Sequence, residues 1–166
     1  MITVLLVRHG DIDLPSSAAD PPVNAAGRER AQALDRVAEA VTRIAGTKVE
    51  AVFVSPFKRT EQTVGTLTAR LGIPAQVVPP PAKFASRVLS GALGEIVLVA
   101  GHSNTVPEMI TALGVPPPAP VIGEKEFDNL FVVTMAGPSD THMVRLRYGK
   151  PVFVAGAQAR SAATVS

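Results

Sequence analysis

The chain has 166 residues, 46% of them hydrophobic and 18% charged, enough apolar material for the core of one ordinary domain. A net charge of +2, with a pI near 9.3 and no Lys/Arg block or aromatic-interleaved basic patch, argues against a nucleic-acid binder. The absence of cysteine excludes disulfides, thiolate catalysis and cysteine-ligated metals.

The first element is the aliphatic run Val4 to Val7, expected to form a strand buried on both faces. The apolar stretch from Ile2 to Val7 is too short for a signal sequence, whose apolar region spans about 7–15 residues. No later run approaches the roughly 20 residues of a membrane span. A soluble, cytoplasmic protein with no membrane partner is the expectation. The strand runs directly into Arg8, His9 and Gly10 with no polar spacer. A strand end of that kind is either a solvated terminus or a cation and an imidazole aimed at an anion.

A polar, Pro-rich loop, "DIDLPSSAADPPV", comes next. Asn24 then caps a predicted helix whose apolar residues Ala31, Leu34, Val37/Ala38, Val41 and Ile44 recur every three or four positions, with Gly46 as its end. Ala51 to Val54 is a second predicted strand. Ser55-Pro56 reads as a helix start, with Ser as N-cap and Pro at the first helical position. Val64, Leu67 and Leu71 give that helix its buried stripe, and Gly72 its stop. Ala75 to Val78 is a third strand cut off by "PPP", and Phe84 to Leu89 a short helix.

Glu95 to Ala100 is the fourth strand and leads through Gly101-His102-Ser103-Asn104 into a helix. Val106, Met109, Ile110 and Leu113 line one face of that helix; Pro107 sits in its first turn and Gly114 closes it. Leu130 to Met135 and Met143 to Tyr148 are two final strands around the turn "AGPSD". Residues 1–155 are expected to form one domain, with residues 156–166 a small, polar, disordered tail. The alternation predicts an α/β three-layer sandwich around a largely parallel sheet of about six strands. Ligands in such sheets bind beyond the carboxyl ends of the strands.

The polar residues after strands one, two and four are therefore expected on one edge: "RHG", "SPFKRTEQT" and "GHSNT". They bring together Arg8, His9, Arg59 and His102. Two guanidiniums match the oxygens of a phosphoryl dianion, and the helix start at His102 to Thr105 adds N–H groups for the same ligand. Two histidines could instead ligate a metal, but metal sites add carboxylates rather than arginines, so neither metal nor cofactor is expected. With no cysteine available, a histidine is the natural covalent nucleophile for phosphoryl transfer. His142 has no partner motif and is read as structural.

These three motifs resemble those of the histidine phosphatase superfamily, the phosphoglycerate mutase-like fold, over nearly the whole ordered length. The resemblance implies that His9 becomes phosphohistidine, with Arg8 and Arg59 as phosphate clamps and His102 beside them. It also places Ser103 and Asn104 at the phosphate through their backbone. "PPVNAAGRERAQAL" is similar to the family's early helix signature and places Asn24 near the pocket. The compact size and the "SPF" and "EQT" segments resemble the small bacterial phosphohistidine phosphatases most closely.

One family feature is missing. Family mutases and many phosphatases carry a catalytic Glu or Asp, between the second and third motifs in mutase-like members and directly after the second histidine in the phytase-like branch, whereas here residues Ile73 to Gly94 contain no Asp or Glu and Ser103 follows His102. Asp11 is the nearest substitute, with Asp13 and Asp128 behind it. General acid help is worth about 10²–10⁴ and matters most for poor leaving groups. The expected activity is thus a cofactor-independent phosphatase acting on phosphohistidine or activated phosphate monoesters, borne on a phosphorylated protein or a small molecule. The alternatives are a non-catalytic phosphate-binding pseudo-phosphatase and a phosphoglycerate mutase-type phosphotransferase.

Overall fold

Along the first strand the side chains alternate between two cores. Val4 and Leu6 face one apolar cluster, Leu5 and Val7 the other, and all four are fully buried. A strand with no polar face must be covered on both sides, and it is. The computed structural model describes residues 1–137 and 139–152; the tail expected over 156–166 lies outside them.

The elements in chain order are β1 (Ile2–Arg8), α1 (Ala25–Ala45), β2 (Val49–Val54), α2 (Lys58–Leu71) and β3 (Gln76–Val77). They continue with α3 (Pro81–Leu89), β4 (Ile96–Gly101), α4 (Thr105–Ala112), β5 (Asn129–Gly137) and β6 (Asp140–Arg147). One six-stranded sheet has the order β3-β2-β4-β1-β5-β6. β1, β2, β3 and β4 pair in parallel, while β5 runs antiparallel to β1 and to β6. α1 and α2 bury Ala33, Leu34, Ala38, Val64 and Leu67 on one face. α3 and α4 bury Phe84, Val88, Val106, Met109 and Ile110 on the other. Each fully buried Leu or Phe contributes about 1.5–3 kcal/mol of transfer free energy. The three-layer α/β sandwich and the mostly parallel sheet are as predicted.

Two details depart from the sequence reading. Ile44 lies in the periodic stripe of α1 but is 89% exposed, in the last turn before the Gly46 C-cap, beyond the last buried residue of the helix, Ala38. α2 starts at Lys58 with Phe57 as its N-cap and no side-chain cap; Ser55 does not cap it. That hydroxyl is used elsewhere.

The antiparallel strand has a topological effect on the strand-end edge. Val7 pairs with Leu130, so β5 begins where β1 ends. The segment preceding β5, residues 121–128, is thereby brought to the carboxyl edge of the parallel strands. Among the described residues no helix is long and apolar enough to cross a membrane.

Candidate active site

β1, β2 and β4 deliver their carboxyl ends to a cleft of about 600 Å³. Arg8, His9, Arg59, His102, Ser103 and Asn104 line it, together with the loop from Ile12 to Pro21, Phe57, Thr105 and Glu124. The expected cluster of two guanidiniums and two imidazoles is thus brought together. The His9 and His102 ring centroids lie 5.3 Å apart.

His9 is 3% exposed. Its Nδ1 stands 2.8 Å from the Gly10 carbonyl, which can only accept, so Nδ1 carries the proton and Nε2 the lone pair. Burial, with Arg8, His102 and Arg59 adding to it against the Gly10 hydrogen bond, pushes the His9 pKa down to about 3. The ring is neutral at pH 7, as a nucleophilic nitrogen must be. The glycine after it is needed for space: a Cβ on Gly10 would stand 3.0 Å from the Gly27 carbonyl oxygen in α1. The Gly10 N–H donates to Thr63 Oγ1 at 2.7 Å, and the Thr63 hydroxyl donates to the Arg59 carbonyl at 2.6 Å. Gln62 Oε1 accepts from Val23 N at 2.9 Å. The "EQT" segment thus ties α2 to both flanks of the N-terminal loop.

Arg8 is 6% exposed, and its guanidinium carbon sits 4.2 Å from the Phe127 ring centroid. Its Nη1 donates to the carbonyls of Gly123 at 3.0 Å, Glu124 at 2.6 Å and Glu126 at 3.3 Å. Its Nε is buried and has no partner among the described residues. Arg59 has its Nη1 donating to Asp20 Oδ1 at 3.3 Å and its Nη2 facing His102, while its Nε is buried with no partner among the described residues. Its guanidinium carbon lies 4.5 Å from the Phe57 ring centroid. Each arginine is anchored through its terminal nitrogens and keeps a desolvated Nε–H without a partner among the described residues. Buried donors of this kind are rare without a ligand or water to satisfy them.

His102 is held from two sides. Arg59 Nη2, which can only donate, stands 3.5 Å from its Nδ1. Nε2 then carries the proton and donates to Ser55 Oγ at 2.7 Å. Ser55 Oγ is 3.0 Å from Thr60 Oγ1, which lies within hydrogen-bond reach of the Ser55 and Phe57 carbonyls. Burial, then Arg59 and Arg8, lower the His102 pKa to about 4 against the opposing Asp20 charge. The His102 N–H donates to Thr105 Oγ1 at 2.9 Å, which fixes the start of α4.

Asp11 and Asn24 are placed elsewhere. Both carboxylate oxygens of Asp11 accept from the Arg30 guanidinium, at 2.5 and 3.2 Å, and Asp11 lines a neighbouring cavity instead of the cleft. Acting as a proton donor would require giving up a bidentate buried ion pair. Asn24 is the N-cap of α1, as expected: Oδ1 accepts from Gly27 N at 3.0 Å and Nδ2 donates to Asp13 Oδ1 at 3.0 Å. That use turns it away from the phosphate position the family signature suggested. Asp128 accepts from Arg147 at 2.7 Å and is buried away from the cleft. His142 is exposed and pairs with Asp140. Among the described residues, no group of three or more His, Asp or Glu lies close enough to hold a metal ion.

Four contributors are not among the site residues expected from the sequence. Ser55 orients His102, Asp20 anchors Arg59, Phe127 stacks on Arg8, and the 123–126 turn cradles Arg8. Only Ser55 had a signal, adjacency to "PF" in the second motif, and helix-cap chemistry explained it away.

Residues 4–80 match the family model of the histidine phosphatase superfamily (branch 1). The fold is shared with several solved structures. The protein histidine phosphatase SixA complexed with tungstate is 22% identical with a TM-score of 0.63, covering 88% of this chain and 97% of that one. The alpha-ribazole phosphatase from Shigella flexneri is 14% identical with a TM-score of 0.65, covering 88% and 96%. A mycobacterial glucosyl-3-phosphoglycerate phosphatase with inorganic phosphate is 14% identical with a TM-score of 0.60, covering 87% and 95%. A comparison with curated proteins finds no match.

Proposed function

We infer that this chain, whose residues 4–80 carry the histidine phosphatase pattern, is a phosphatase that works through a covalent phosphohistidine at His9. The observation that carries the reading is the fixed tautomer of His9: Nδ1–H is committed to the Gly10 carbonyl, leaving the Nε2 lone pair free at the cleft. Around it, the guanidiniums of Arg8 and Arg59, which line the cleft, suit the equatorial oxygens of a phosphoryl group. The Nε2 lone pair attacks phosphorus, and the bond to the leaving group breaks with its electron pair on the departing O or N atom. Water then attacks the phosphohistidine, the P–N pair returns to His9, and the proton of water passes to solvent. Arg8, Arg59 and His102 stabilise charge on the transferred group in both steps. No step draws on a cofactor.

Phosphohistidine or an activated monoester is the preferred substrate class. No Asp or Glu stands between Ile73 and Gly94, and Asp11 is occupied by Arg30, so neither position the sequence offered supplies a donor to a poor alkoxide leaving group; the carboxylate that does line the cleft, Glu124, is exposed at its border. The likeness to SixA, a protein histidine phosphatase, points the same way. Phosphoenzyme trapping tests the reading. Incubation with a labelled aryl phosphate should leave an acid-labile, base-stable label on the wild type and none on His9→Ala. Label persisting on His9→Ala would assign the nucleophile elsewhere.

A further inference from the structure

Charge around the cleft is unevenly distributed. Its cations, Arg8 and Arg59, both belong to the phosphoryl end, and both imidazoles there are neutral at pH 7. The wall beyond them is uncharged: Ile12, Leu14, Pro15, Ala18 and Pro21 from one loop, with Phe57 and Leu14 each 37% exposed. Glu124 is the one carboxylate that lines the cleft among the described residues. It is exposed, and its backbone carbonyl is held by Arg8 Nη1 at 2.6 Å, so the residue is fixed at the border between the phosphoryl end and the outer wall. Lys125, the adjacent cation, lines the neighbouring cavity with Asp11 and Asn24.

We propose that Glu124 selects substrates by the charge of the leaving group, favouring cationic or neutral apolar groups and disfavouring those that carry a second anion. The proposal rests on the phosphatase reading above. A phosphoryl dianion between the two guanidiniums meets two positive charges, one of them already paired with Asp20, so no cation is left over there, and the leaving group then meets an uncharged wall and the Glu124 carboxylate. A protonatable imidazole or another cation is attracted there. A carboxylate or second phosphate finds no cation to meet it. Burial weakens the Arg8 cation and the Glu124 carboxylate is the first of the charges that oppose this, which is consistent with its lying close to the phosphoryl end.

Three aryl phosphates differing in the para substituent test this: trimethylammonium, acetyl (neutral) and sulfonate. The kcat/KM on the charged esters is divided by that on the neutral one, and each variant is compared with wild type on the same ester, so leaving-group acidity cancels. Wild type should prefer the cationic over the anionic ester by a ratio that falls about 3–10-fold in Glu124→Gln, the size of one solvent-screened charge interaction. Glu124→Lys should invert the preference, and added salt should shrink it in the wild type. If all three esters turn over but neither variant moves the ratio, the selection does not lie at Glu124 and the inference fails while the phosphatase reading stands. If both variants slow all three esters alike, Glu124 acts on the phosphoryl end common to them and not on the charge of the leaving group, and the inference again fails. If wild type turns over none of them, the phosphatase reading falls and takes this inference with it.

Discussion

Two neutral imidazoles beside two guanidiniums are a costly arrangement in the absence of an anion, because each ring is held from protonating by burial and by its cationic neighbours. A bound dianion reverses the local sign. His102 Nδ1, which now faces Arg59, would meet a phosphate oxygen and favour the protonated, donating ring. The pKa of His102 should therefore rise from about 4 on binding, with proton uptake as its sign. Calorimetry of phosphate or vanadate binding at pH 6, in buffers of different ionisation enthalpy, contains the proton the ligand itself releases on binding as the dianion, so the readout is the difference: wild type should take up as much as about one proton more than His102→Asn. Equal uptake in both proteins would place the proton elsewhere. The sequence made the four basic residues legible because Arg8, His9 and His102 close on the ends of aliphatic runs, and Arg59 lies in the motif that follows the run ending at Val54. It could not show that Asp11 is captured by Arg30, since a carboxylate near a nucleophile reads as catalytic until its partner, 19 residues away, is seen. Ser55 misled for a related reason: Ser-Pro is a helix-start signal, and only the fold reveals a histidine 47 residues on as its partner.

The least visible element is the turn before β5. Gly123, Glu124 and Glu126 present their carbonyls to Arg8 across more than a hundred residues of sequence, and nothing in the periodicity of that loop announces them. The turn is held by Glu126. Its Oε2 accepts from Gly123 N at 2.8 Å and from Arg145 at 3.3 Å, and its Oε1 accepts from Arg147 at 3.2 Å. The Gly123 hydrogen bond and the Arg147 side chain hold the Glu126 carboxyl below its usual pKa against the opposing effect of burial. Glu126→Ala should release the turn and let Arg8 wander. Phosphate affinity is expected to fall about tenfold, near the ~1.5–3 kcal/mol of a charged hydrogen bond once partial relaxation is allowed. Glu126→Gln keeps an acceptor for Gly123 and should fall less. Phosphate inhibition constants measured beside thermal melts check this: a lower melting temperature with unchanged affinity would make Glu126 purely structural. The helices and central strands were legible by contrast because their stripes are continuous. α4 buries Val106, Met109 and Ile110, with Leu113 buried beside them, as the spacing predicted, and its C-cap is Leu113, one residue before the expected Gly114.

At the scale of the molecule, a parallel sheet gathers its strand ends, and the antiparallel β5 adds the arginine cradle to the same edge. The cost is a buried cationic edge without its anion, and it makes stability depend on pH. His9 and His102 titrate near 3 and 4 when folded but near 6.5 in an unfolded chain. Between those values the unfolded state binds more protons, so stability rises with pH and is lost as pH falls below about 6.5. From pH 6.5 to 5 the two rings together should remove roughly 3 kcal/mol. That window lies above most carboxylate titrations, so the histidines dominate it. Urea midpoints at pH 7, 6 and 5 should fall accordingly, and His102→Asn should flatten the slope by about half if the pair acts as two independent groups. Inorganic phosphate present throughout should also flatten it, because an occupied cleft lets His102 protonate in the folded state as well. A slope identical in wild type and His102→Asn would mean that the ring is already solvated enough to titrate normally, and the burial that sets its chemistry would have to be given up.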